Sequence, residues 1–117
     1  MKTIEEIIKQ TPIYLNDWEN KEDVARDFDN EDILKLNILI ASYTYKDWES
    51  SAFVLVEIDK KLYEVNGSHC SCSCFGLENQ WDLEEVNLVE MQNRLVKGTF
   101  GSYEYKEQLK EFLGIDI

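Results

Sequence analysis

A chain of 117 residues with 44% hydrophobic and 12% aromatic side chains has apolar mass for one ordinary core and too little for two, so a single compact domain over residues 1–117 is expected. The 24 acidic residues against 12 basic ones leave a net charge of −12, a field that repels phosphate backbones and argues against direct contact with nucleic acid. One proline and five glycines exclude collagen-like, proline-rich and Gly/Ser linker segments.

The opening stretch MKTIEEIIKQTP puts Glu5 and Glu6 where a secretory leader requires apolar side chains. No apolar run reaches the length that spans a bilayer. A cytosolic protein without membrane contact is therefore expected, its thiols kept reduced. Thr3 and Glu6 have the spacing of a capping box, and Ile4, Ile7 and Ile8 share one face of a short helix that must end before Pro12. Asn20 suits a second N-cap, with Glu22 and Asp23 in the first turn, where the helix dipole favours acids. Val24 and Phe28, one turn apart, would be its buried contacts.

After Asp32 the pattern changes. LKLNILIASYTY and SAFVLVEI are apolar runs suited to strands, separated by the polar break KDWES. KLYEV follows as a third strand, with Asp59 and Lys60 as the hairpin turn, Leu62 and Glu64 on one face and Tyr63 and Val65 on the other. Short connections make these antiparallel, because parallel pairs need a long crossover. Towards the C-terminus Asn87 and Glu90 read as an N-cap and N3 pair, Leu88, Met91 and Leu95 as one face, and Gly98 as the residue past the end. A last helix from Ser102 would bury Tyr105, Leu109 and Phe112 and stop at Gly114. The fold class is α+β: a three-stranded antiparallel meander flanked by short N-terminal helices and two C-terminal helices.

Between the strands and these helices lies NGSHCSCSCFGLENQW, which holds all three cysteines and the single histidine. Three readings compete for it. His69, Cys70, Cys72 and Cys74 count to the four ligands of a structural zinc site, but Cys-x-Cys spacing keeps sulfurs apart unless the backbone curls. A carboxylate such as Glu78 would be an outside ligand. Alternatively, His69 beside Cys70 would lower a thiol pKa, although catalytic Cys–His pairs normally come from separate parts of a fold. No oxyanion-hole or third-member signature accompanies the pair, and no enzyme activity is expected. The third reading is a tight return, with Gly67 and Gly76 turning the backbone and small Ser and Cys side chains filling it. An odd cysteine count within five residues excludes a disulfide framework. On this basis no cofactor is expected, with zinc on His69, Cys70 and Cys72 as the alternative.

The segment SAFVLVEIDKKLYEVNGSHCSCSCFGLENQW resembles a group of small phage and prophage proteins that share SAFVL, then LYEV-x-GSHCSC, then GLE-x-QW. The likeness runs from Ser51 to Trp81 and more loosely through NRLVKGTFGSYEY to Leu113. This chain departs from it by the extra Ser73-Cys74 pair, which leaves His69, Cys70 and Cys72 as the shared ligating residues. The resemblance implies a phage accessory protein that acts on host machinery inside the cell.

Charge indicates where such action would sit. From Asn16 to Asp32 the chain carries eight acids against Lys21 and Arg26, which is half of the net −12. Together with the resemblance, this suggests an inhibitor of a host nucleic-acid-handling or antiphage defence complex, of the anti-CRISPR kind, contacting a basic surface. The alternatives are a metal- or thiol-dependent protein and a phage structural or assembly component. Asp17, Trp18, Glu19, Asp23, Asp27 and Asp29 are the candidate contact residues, with Trp18 as an exposed apolar anchor among polar neighbours. Trp48 is a second exposed candidate, Phe28 is assigned to the core, and Trp81 is expected to close the cysteine loop against the sheet. A solvated face that keeps a small domain soluble is the simpler account of the same acids.

Overall fold

The apolar runs in the middle of the chain form the centre of one sheet in the computed structural model, which describes residues 2–46, 49–70, 77–97 and 106–115. The chain begins with helix α1 (Ile4–Ile8), strand β1 (Ile13–Asn16), helix α2 (Lys21–Phe28) and a 3-10 helix (Glu31–Lys35). Strands β2 (Asn37–Lys46), β3 (Glu49–Ile58), β4 (Lys61–Cys70) and β5 (Glu84–Val86) follow, and helices α3 (Leu88–Val96) and α4 (Lys106–Leu113) complete the order.

The expected meander is β2–β3–β4, antiparallel throughout. The α+β class holds, but the sheet has five strands in the order β1-β2-β3-β4-β5. β1 lies parallel to β2, Ile13 registering with Ile40 and Asn16 with Tyr43. Its crossover is α2 together with the 3-10 helix, the long connection that a parallel pair requires. β5 pairs antiparallel with the start of β4, Leu62 opposite Val86 and Glu64 opposite Glu84. Mixed character thus comes from one four-residue edge strand.

Both faces of the sheet are covered, which is why β2 and β3 read as continuous apolar runs rather than alternating ones. One face carries Ile40, Phe53, Leu55 and Leu62 against Ile7 of α1, Met91 and Leu95 of α3, and Leu109, Phe112 and Leu113 of α4. The other carries Ala41, Val54, Val56 and Val65 against Val24 and Phe28 of α2, Ile33 of the 3-10 helix, Trp18 and Leu77. The faces expected for β4 are those observed, with Leu62 in the first core and Val65 in the second. An irregular register between Ile38 and Ile40 lets Leu39 join the first core beside Ile40.

The helix ends follow local chemistry. The Thr3 hydroxyl accepts from the Glu6 amide while the Glu6 carboxylate accepts from the Thr3 amide, closing the capping box. These bonds from Thr3 hold the Glu6 carboxyl below the usual carboxylate range. Asn20 and Asn87 accept from the amides of Asp23 and Glu90, as the spacing indicated. α4 stops at Gly114, whose φ of +72° is left-handed. The Ile115 amide then bonds back to the Lys110 carbonyl at 2.9 Å. Gly98, Ser102 and Tyr105, placed by the sequence at the end of α3 and in α4, lie outside the described residues, and α4 as described starts at Lys106.

Candidate functional site

The acidic segment folds into α2 and the 3-10 helix, laid over the second face of the sheet. Two backbone features place it. Asn16 ends β1 with φ +62°, and the Asp17 amide bonds to the Tyr43 carbonyl at 2.9 Å. The chain therefore turns back at once, and Trp18 is carried underneath α2. Asp29 ends α2 in a left-handed conformation, φ +53°, with the Asn30 amide bonded to the Ala25 carbonyl at 3.0 Å. An aspartate occupies the position that glycine usually takes, and its short polar side chain tolerates that conformation.

This placement corrects the reading of Trp18 as an exposed anchor. Trp18 is only 1% exposed. Its ring lies 5.9 Å from Phe28 and 5.1 Å from Tyr43, and its indole Nε1 donates to Asp27 Oδ2 at 2.7 Å. A tryptophan among polar neighbours is buried here because those neighbours point outward from a turn while it points inward, and Asp27 satisfies its one polar atom. Phe28 is in the core as expected, 2% exposed.

The six acidic-segment candidates thus separate. Asp17, Glu19 and Asp29 are exposed, whereas Asp23 and Asp27 are partly buried and committed within the fold. Asp23 accepts from the Glu19 amide at 2.9 Å and from Arg26 at 3.2 Å. Asp27 accepts from Trp18 and from Arg26 Nε, the latter at 3.3 Å. The hydrogen bond and charge of Asp27 raise the Arg26 guanidinium pKa further above its ordinary value. Lys21 donates to the Leu36 carbonyl at 2.6 Å. Both cations of the segment are therefore engaged internally.

The negative charge left facing solvent comes from Asp17, Glu19, Glu22, Asp29, Glu31 and Asp32, all exposed. Glu22, Glu31 and Asp32 were not among the contact residues drawn from sequence. The signal that separates them was available: Asn20-x-x-Asp23 is a capping spacing, which marks Asp23 as a structural acid and leaves Glu22 free. Glu22 also faces Tyr14, whose hydroxyl pKa is pushed up by burial and, less, by that carboxylate.

The cysteine-rich stretch starts differently from expectation. β4 does not end at Val65 but continues through Gly67 to Cys70, with His69 registered opposite Ser50 and Cys70 opposite Glu49. Gly67 therefore serves no turn. A Cβ there would lie 2.9 Å from Leu77 Cδ2 and 3.3 Å from Gln80 Oε1, so glycine lets the returning chain sit directly on the strand. Gln80 Oε1 accepts from the Ser68 amide at 2.9 Å, in the place of a neighbouring strand. Trp81 packs edge-on to Phe28 at 5.0 Å, holding this return against the second core. Gly67→Val is expected to destabilise by about 1–3 kcal/mol through overpacking against Leu77; a urea midpoint equal to wild type would exclude this close approach.

The side chains of His69 and Cys70, and residues Cys72, Cys74, Gly76 and Trp48, lie outside the described residues. Glu78, the suggested outside ligand, is exposed. Among the described residues no group of three His, Cys, Asp or Glu side chains is placed to hold a metal ion. Among them, too, no helix is long and apolar enough to cross a membrane. No protein-family model matches the chain, and neither a curated protein nor a solved structure matches it.

Proposed function

We propose that this protein acts by binding a host protein, its acidic α2 face occupying a basic surface on a complex that handles nucleic acid. An antiphage defence nuclease of the CRISPR type is the target we favour, in keeping with the resemblance to phage and prophage proteins. The observation that carries the reading is the fate of the segment's charges. Lys21 and Arg26 are bonded within the fold, while six carboxylates remain exposed on a backbone fixed by the Asn20 and Asn30 caps. Such a face presents closely spaced anions on a rigid support, as a nucleic-acid backbone does, and would attract a groove built for phosphates.

The test is affinity capture from host extract with wild type and with a quadruple variant, Glu22→Gln, Asp29→Asn, Glu31→Gln and Asp32→Asn. These substitutions keep both caps, and asparagine tolerates the left-handed position 29. Wild type is expected to retain a nucleic-acid-binding protein at low salt, to release it as salt rises, and to compete with added duplex DNA for it. The variant is expected to lose it. Equal capture by both proteins, or capture indifferent to salt and DNA, would falsify the acidic-face reading.

A further inference from the structure

A second surface of different character lies across the sheet from the acidic face. An open groove of about 260 Å³ runs between the β3–β4 turn, β5, α1 and the start of α3. Ile4, Leu62, Val86 and Leu88 form its floor, and Val89 stands at its lip with 63% of its surface exposed. Val96, two turns further along α3 and outside the groove, is 56% exposed. Lys60, Lys61, Glu85 and Asn87 complete the lining. Two ammonium groups against one carboxylate make this rim positive in a chain of net charge −12. Among the described residues neither ammonium forms an ion pair.

The conformation of the turn singles out Lys60. Asp59 and Lys60 both have positive φ, +53° and +66°, the geometry of a two-residue hairpin in which the second position normally belongs to glycine. A lysine there is strained. Its backbone amide is held by Glu57 Oε2 at 2.7 Å, and the residue lines the groove. Strain retained where glycine would relieve it is the kind of outlier from which a functional role is inferred.

We propose that the groove binds an acidic segment of a partner protein, seating one apolar side chain on the Ile4–Leu62–Val86–Leu88 floor and flanking carboxylates against Lys60 and Lys61. Charge complementarity selects the acidic segment over a basic one. The openness of the groove and the exposed Val89 at its lip select a protein segment over an enclosed small molecule. This site is independent of the acidic face, which lies on the other side of the sheet, so the two readings fail separately.

The experiment is a titration of the ¹⁵N-labelled full chain, followed by amide shifts, with three probes. They are the peptide Glu-Asp-Leu-Phe-Asp-Glu, its counterpart Lys-Lys-Leu-Phe-Lys-Lys, and decanoate. The acidic peptide is expected to give saturable shifts at Leu62, Val86, Leu88 and Val89. The paired variant Lys60→Gly with Lys61→Gln is expected to weaken binding about tenfold. Lys60→Gly alone should leave the melting temperature unchanged or raise it while still weakening the peptide, which a purely structural lysine would not do. The basic peptide is expected to shift residues of α2 and leave the groove untouched. The proposal is overturned if the acidic peptide gives no saturable shifts at the groove, if the basic peptide enters it equally well, or if the lysine variants bind as wild type. Saturation by decanoate without the acidic peptide would overturn it too, since the occupant would then be a lipid-like amphiphile.

Discussion

Arg94→Met is expected to destabilise the protein by about 3 kcal/mol, measured as a shift in urea unfolding. The reason is a carboxylate placed where water hardly reaches. Glu64 on β4 is 4% exposed, and Arg94 of α3 grips both of its oxygens, at 2.9 and 2.8 Å. The fork of the guanidinium matches the carboxylate, which a lysine at this position would not do. Removing the arginine leaves the carboxylate desolvated without its counter-charge, and that penalty dominates the lost attraction. The Arg94 side chain is 28% exposed, so some water would enter, which places the expected loss at the lower end for buried pairs. The double variant Glu64→Leu with Arg94→Met should recover most of the stability, because no charge is then stranded. If Arg94→Met unfolds with wild type, the pair is not buried as described. The pair also fixes α3 on the sheet, keeping Met91 and Leu95 inward and Val89 and Val96 outward. Its loss should therefore disturb the groove as well as the core.

The parts of this fold legible in the sequence are those governed by local chemistry. Thr3, Asn20 and Asn87 announce their helices because a cap needs only one side chain and an amide three residues on. The apolar runs on either side place Asp59 and Lys60 in the hairpin turn. β1 does not show in the sequence because IYLN, between Pro12 and Asp17, is too short to show alternation, and its partner β2 is more than twenty residues away. β5 was missed because two of its three residues are Glu84 and Glu85, poor strand formers that the edge position tolerates. The 3-10 helix Glu31–Lys35 is equally short. The functional surfaces were half legible. That the Asn16–Asp32 segment is acidic is plain from composition, but which acids are free depends on where Trp18 and Arg26 go. The Lys60–Lys61 groove could not be read from sequence, since its floor is drawn from α1, β4, β5 and α3.

Trp18 decides between two accounts of the acidic face. Trp18→Ala is expected to destabilise by about 3–5 kcal/mol, the range for removing a large buried aromatic. The ring fills the space between Phe28 and Tyr43 beneath α2. Asp27 would also lose the donor that holds one of its oxygens. Trp18→Phe keeps most of the packing and removes only that donor, with an expected cost of about 1–2 kcal/mol. Urea midpoints of the two variants check both values, and a Trp18→Ala protein as stable as wild type would show the indole to be at the surface. The consequence for binding is specific. Because Trp18 supports α2 from beneath, partner capture lost in Trp18→Ala reports a collapsed face and not a lost contact. Trp18→Phe separates the two: a buried support predicts capture equal to wild type, whereas an interface anchor predicts its loss while the fold survives.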